Sequence, residues 1–188
     1  MRILTAMILL FVLSGPTQAA PCETRLFTFE VEDQFENDHT HRELLGTISV
    51  LVWADRKASE WSGDWGEMLS EALQGQIAAG DVQVRGWAHT RGAPFFIKGR
   101  IRKNFPKDPE HWSFLDWGGD FESEYETEED HVNVFVFDRE GCLVARESGQ
   151  EIDPQVLARI VRAAQDVLVE EAGGDVPGEI HPGRPNDG

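Results

Sequence analysis

Thr47-Ile48-Ser49-Val50-Leu51-Val52-Trp53 limits what this chain can become more than any other segment. It is apolar on both alternating faces and carries four β-branched residues, which suits a strand covered on both sides rather than one facing water. The run ends at Ala54-Asp55-Arg56-Lys57. Trp61, Trp65, Met68, Leu69, Leu73 and Ile77 then fall close to one helical face. Gly80 closes that helix, and Val82 to Trp87 reads as a second strand. A strand, a helix and a strand in this order require a parallel pair joined by a crossover, so the chain is predicted to be a single α/β domain.

The remaining elements follow from shorter patterns. Leu26 to Glu32 alternates Phe27, Phe29 and Val31 with polar neighbours, an additional N-terminal strand, followed by a polar turn over 33–38. Pro94 opens a helix with Phe95, Phe96, Ile101 and Phe105 near one side. Ser113 to Trp117 and Phe121 to Thr127 read as a hairpin around Gly118-Gly119, and Val132 to Phe137 with Cys142 to Arg146 as another. Asp153 caps a last helix with Pro154 at its first position, and Gly173-Gly174 stops it. The predicted order is β-β-α-β-α-ββ-ββ-α.

Seventeen Lys and Arg against 34 Asp and Glu give a formal charge of −17 over 188 residues. That balance excludes an open nucleic-acid surface, which needs cations to release phosphate counterions, and general adhesion to anionic membranes. Arg2, the apolar run Ile3 to Leu13, the break at Ser14-Gly15-Pro16 and the small residues of Thr17-Gln18-Ala19 together read as a signal peptide over 1–19. The expected product is a periplasmic or secreted domain over 20–174 with a disordered C-terminal tail over 175–188. Ala20-Pro21 before Cys22 is not a lipobox, so neither a lipid anchor nor a membrane span is expected in the mature chain.

Several segments resemble a known group. Phe29-Glu30-Val31-Glu32-Asp33-Gln34-Phe35, Ser49-Val50-Leu51-Val52-Trp53-Ala54 and Val132-Asn133-Val134-Phe135-Val136-Phe137 are similar in order to strands of the thioredoxin-like fold. Pro94-Phe95-Phe96-Ile97-Lys98, Phe105-Pro106, Trp112-Ser113, Leu115-Asp116 and Asp138-Arg139-Glu140-Gly141 resemble the YtfJ-type periplasmic thioredoxin-like family. The resemblance spans residues 25–168. It implies a central mixed sheet flanked by helices, with the extra N-terminal strand and a hairpin insertion. The fold's usual site holds a thiolate at the strand–helix junction, where a helix start lowers its pKa. Here that junction reads Asp55-Arg56-Lys57-Ala58-Ser59, and His131-Val132 stands where the group has its cis-proline. The resemblance therefore implies fold and compartment without thiol exchange at the usual place.

Five groups of residues are candidates for function. Cys22 and Cys142 are the only cysteines. They either close a structural disulfide, which requires Cα atoms within about 7 Å, or remain free thiols, or work as a redox pair. Asp55, Arg56, Lys57 and Ser59 form an anion or ligand candidate at a helix start. Lys98, Arg100, Arg102, Lys103 and Lys107 form a docking candidate for an acidic partner. His39 and His41 are a two-ligand metal candidate without a convincing third donor. Asp116 to Asp130 carries eight acids, with Glu122, Glu124, Glu126 and Glu128 alternating as on one strand face, a solvated edge that repels pairing. Trp61 and Trp65 are assigned to the core. Nothing in the sequence calls for a cofactor. The sequence is therefore read as an exported accessory or binding module, with a protein partner of unknown identity and without a standard redox site. The alternative is a thiol-dependent oxidoreductase or peroxidase using Cys22 and Cys142.

Overall fold

The computed structural model describes residues 22–109 and 111–174, with side chains described to Glu171. The leader over 1–19 and the tail over 175–188 lie outside the described residues. In chain order the elements are β1 Glu30–Asp33, β2 Asp38–Thr40, β3 Ile48–Ala54, α1 Ser59–Ala72, α2 Gln74–Ala79, β4 Val82–His89, α3 Lys98–Arg102, β5 Ser113–Asp116, α4 Asp120–Glu124, β6 Val132–Phe137, β7 Leu143–Gly149 and α5 Pro154–Gly174. Short 3₁₀ turns at His41–Leu44 and Phe95–Ile97 precede β3 and α3.

All seven strands join one mixed sheet in the order β2-β1-β5-β4-β3-β6-β7. β3, β4 and β5 run parallel, and every other pairing is antiparallel. β3 is buried along its whole length because its alternating residues feed two cores. Val50 and Val52 join Trp65 and Leu69 of α1, Leu73 just past its end, and Ile160 and Ala164 of α5 in one core. Leu51 and Trp53 join Trp87, Phe135 and Phe137 in an aromatic layer roofed by Leu26, Phe29, Phe121 and Tyr125. Burial of each such large side chain contributes about 1.5–3 kcal/mol. Trp65 is fully buried, and its Nε1 donates to the Gln150 carbonyl at 2.9 Å. Trp61 packs against the same core. Asp153 caps α5, its Oδ1 accepting the Gln155 N–H at 2.7 Å.

Three local expectations are corrected. Residues 113–127 form no hairpin: β5 is an inner strand between β1 and β4, and Asp120–Glu124 is helical. The cause is Asp116, fully buried at the end of β5. Its Oδ1 accepts the N–H groups of Gly119 (2.7 Å) and Asp120 (3.1 Å), and its Oδ2 accepts Phe121 N–H (3.0 Å) and Trp87 Nε1–H (3.2 Å). Gly119 sits at φ +79°, where a Cβ would stand 2.6 Å from Arg91 Cδ. The row of four glutamates is therefore broken: Glu122 and Glu124 ride on α4, while Glu128 accepts from Ser148 Oγ. The helix after Pro94 is only a 3₁₀ turn and the five-residue α3, and Phe95 and Phe96 face solvent instead of the core. Finally, the strand expected from Leu26 begins in the sheet only at Glu30. Residues 22–29 instead form an arm beside the β6–β7 turn, linked there by an antiparallel bridge between Arg25 and Cys142.

Candidate functional site

Cys142 opens the far side of the Asp138–Gly141 turn. Asp138 holds it by one side-chain and one backbone contact: Cys142 N–H donates to Asp138 Oδ1 at 2.7 Å, and Asp138 N–H donates to the Cys142 carbonyl at 2.9 Å. Gly141 completes the turn at φ +79°. The Cβ it lacks would lie 3.2 Å from Leu26 Cβ and 3.0 Å from Leu45 Cδ2, so the turn accepts the arm closely only as glycine.

The arm is registered on that turn by its own hydrogen bonds. Leu26 N–H donates to the Gly141 carbonyl (2.7 Å), and Leu143 N–H donates to the Thr24 carbonyl (2.9 Å). Arg25 Nη1 donates to the Glu140 carbonyl at 3.0 Å. Tyr125 of the aromatic layer binds the arm twice: its hydroxyl donates to the Arg25 carbonyl and accepts from Phe27 N–H, both at 3.1 Å. Burial pushes the Tyr125 phenol up to about 12, against the opposing pull of the Phe27 amide. With the arm so placed, Cys22 and Cys142 have Cα atoms 5.5 Å apart and are joined in a disulfide. Cys22 is exposed and Cys142 half-buried.

The disulfide lies at the opposite end of the sheet from the strand–helix junction. β6 pairs with β3 through Ser49↔Phe137 and Trp53↔Asn133, so the turn carrying Cys142 stands at the start of β3 and Asp55 at its end. Seven residues of strand separate the two ends by about 20 Å.

At that junction Asp55 is committed to the local backbone. Its Oδ1 accepts the N–H groups of Lys57 and Ala58, both at 2.8 Å, and its Oδ2 accepts Asp130 N–H at 2.8 Å. Burial opposes the charge, yet these donors outweigh it and hold the carboxyl below its ordinary range. Lys57 pairs with Asp130, and Ser59 Oγ donates to the Arg56 carbonyl at 2.7 Å, leaving the Arg56 side chain exposed. His131 follows Asp130, and no peptide bond among the described residues is cis.

The other candidates are dispersed. Arg102 pairs with Glu32 and with Glu36 (3.1 Å), and Lys98 Nζ sits 4.5 Å from the Trp117 ring centroid. Arg100, Lys103 and Lys107 are exposed and make no ion pair among the described residues. His39 stacks on Trp112 at 3.9 Å, and its two ring nitrogens face Asp33 (3.1 Å) and Glu43 (2.7 Å). His41 turns instead toward Phe29. No group of three potential metal donors gathers among the described residues. The arm register, the Tyr125 anchor and the His39–Trp112 stack have no signal in the sequence, because each joins segments some 70 to 120 residues apart.

No family model and no curated protein matches the chain. Solved structures do. The fold is similar to the exposed lipoprotein thioredoxin of Streptococcus pneumoniae, with a TM-score of 0.56 at 14% identity over 72% of this chain and 98% of that one. It is similar to the thioredoxin domain of a thiol–disulfide oxidoreductase from Bacteroides vulgatus, with a TM-score of 0.52 at 14% identity over 77% and 97% of the two chains. The mitochondrial 2-Cys peroxiredoxin of Plasmodium falciparum gives 0.54 at 11% identity over 82% and 98%.

The expectation of an accessory or binding module without a redox site is corrected by these findings. Cys22 and Cys142, for which the sequence leaves a disulfide, free thiols or a redox pair open, are bonded to one another, and the similar structures include a thiol–disulfide oxidoreductase and a peroxiredoxin. The sulfur lies at the opposite end of the sheet from the usual junction. A seven-stranded mixed sheet with helices packed on it, matched to these structures over most of its length, gives the chain the thioredoxin-like fold.

Proposed function

We propose that the chain is an exported thiol–disulfide oxidoreductase of the YtfJ-type group, with Cys22 and Cys142 as its working pair. The observation that carries this reading is the independence of the arm from the sulfur–sulfur bond. None of the Leu26–Gly141, Leu143–Thr24, Arg25–Glu140 and Tyr125–Arg25 contacts passes through sulfur, so on this reading they hold the arm when the bond is open. The two thiols then stay near one another, as a reversible pair needs. The leader-like segment over 1–19 supports an oxidising compartment, and the motifs at 94–98, 105–106, 112–116 and 138–141 support the group.

The exchange starts at Cys22, the exposed sulfur. A thiolate of a substrate dithiol attacks Cys22 Sγ; a substrate–Cys22 bond forms, the Cys22–Cys142 bond breaks, and the electron pair leaves on Cys142 as a thiolate. The second substrate thiolate attacks the substrate sulfur of the mixed disulfide. That closes the substrate disulfide and releases Cys22 as a thiolate. Two electrons pass from the dithiol to the pair, and both thiolates take up protons from water. The reverse sequence reduces a substrate disulfide. Disulfide exchange fits better than peroxide reduction, because a peroxidatic thiolate needs nearby positive charge. The two arginines flanking Cys142 are already engaged, Arg25 by the Glu140 carbonyl and Arg139 by Asp81 and Glu171.

The test is a redox titration in dithiothreitol buffers with alkylation and mass analysis, paired with insulin reduction. We expect the folded protein to interconvert above about −300 mV, the region below which structural disulfides lie. Cys142→Ser is expected to accumulate a mixed disulfide with insulin through Cys22, and Cys22→Ser to lose turnover. A bond that opens only when the chain unfolds, or insulin reduction no faster than with the double variant, refutes the reading.

A further inference from the structure

Residues 91–107 depart from the rest of the chain. They contain six of the seventeen cations, Arg91, Lys98, Arg100, Arg102, Lys103 and Lys107, and no acid, in a protein of net charge −17. Phe95 and Phe96 project from the same segment at 84% and 73% exposure, the two most exposed large apolar side chains among the described residues. Their rings touch each other edge to face at 5.9 Å. An exposed aromatic pair bordered by unpaired cations has the composition of an interface centre.

The acids that match this surface lie beside it on the same molecule. Lys98 and Arg102 stand over Trp117, which leads directly into α4, and Arg91 reaches Glu122 of α4 at 3.9 Å. Asp120 and Glu124 of α4 are exposed and make no ion pair among the described residues. A surface carrying adjacent positive and negative halves is complementary to itself under a two-fold rotation, which brings each half onto the other half of the second copy. We propose that this end of the sheet is the contact between two copies of the chain. Phe95 and Phe96 of each copy pack near the two-fold axis, and Arg100, Lys103 and Lys107 face the α4 acids across it. An anionic membrane fits less well, since the same acids would meet its headgroups. Cys22 and Cys142 are not part of this surface, so the proposal stands whether or not the disulfide exchanges.

Sedimentation of the oxidised protein over a concentration series tests this, with Phe95→Ser/Phe96→Ser and Lys103→Glu as exposed-site variants. We expect a monomer–dimer equilibrium whose Kd rises about 30-fold or more in the double serine variant, the effect of losing one central anchor. Raising salt from about 0.01 M to 1 M shortens screening from about 30 Å to 3 Å and should weaken the dimer about tenfold or more. A monomer at every concentration overturns the proposal. So does a dimer indifferent to both variants, which places the contact elsewhere. Binding of phosphatidylglycerol vesicles by the monomeric wild type but not by the double variant also overturns it, assigning the surface to lipid.

Discussion

Opening the disulfide should lower stability mainly through the unfolded chain. Cys22 and Cys142 lie 120 residues apart, so the bond closes nearly the whole domain into one loop. A loop of that length restricts the denatured ensemble by about 5 kcal/mol in the chain-entropy account. The folded state should lose little in return, because the arm's backbone bonds to Gly141 and Leu143 and its two contacts with Tyr125 do not involve sulfur. At about 2–4 °C per kcal/mol for a chain of this size, the melting midpoint should fall by about 10–20 °C on reduction. Against a total stability of about 5–15 kcal/mol, a loss of about 5 kcal/mol leaves the reduced protein folded at room temperature if the oxidised protein lies above the lower end of that range. Near-ultraviolet circular dichroism melts, with and without a phosphine reductant and with Cys22→Ser in parallel, measure both quantities. If reduction abolishes the near-ultraviolet signal at room temperature, the arm depends on the bond, and a folded dithiol state for exchange does not exist. A midpoint shift under about 3 °C would refute the loop argument itself.

Two further outcomes follow from the carboxylates that organise the ends of β3 and β5. Asp116→Asn keeps shape but turns an N–H₂ toward Phe121 N–H and Trp87 Nε1–H, leaving two buried donors unpaired. At about 1–3 kcal/mol for each, urea denaturation should show a loss of about 2–6 kcal/mol, and a loss under 1 kcal/mol contradicts the assigned bonding. Asp55 is held below its ordinary value of 3.8 by its three amide donors despite partial burial. A depressed carboxyl contributes stability that is complete above its unfolded pKa and is lost as pH falls through the lower, folded one. The acid side of the stability profile should therefore flatten below about pH 4 in Asp55→Asn, and an unchanged profile in that range would count against those donors.

The frame was legible where pattern and burial agree. Thr47 to Trp53, the Trp65–Leu69–Leu73 stripe and the Asp153-Pro154 start each carry one strong local signal, and the structure places β3, α1 and α5 there. α4 was not legible, because Phe121, Ser123, Tyr125 and Thr127 alternate as a strand would while Phe121 and Tyr125 also stand at helical spacing. The deciding group was Asp116, four residues upstream of Asp120, acting through a left-handed Gly119. Hydrophobicity alone assigned Phe95 and Phe96 to the interior, yet they lie on a 3₁₀ turn ahead of a five-residue helix, and both rings are exposed. The Cys22–Cys142 bond was legible only as one option among three, because no local rule fixes the distance between a residue in an N-terminal arm and a turn 120 positions later.

Tyr125 is the chain's single tyrosine, and it is the residue that clasps the arm. A phenolate cannot donate to the Arg25 carbonyl, so ionisation removes half of the clasp. Its raised pKa means this contribution holds up to the ordinary phenol range near 10 and is lost as pH climbs toward about 12. One chromophore thus reads the arm directly: an arm lifted from its seat frees the phenol to titrate in the ordinary range, and the ultraviolet absorbance of the phenolate becomes an optical gauge of docking.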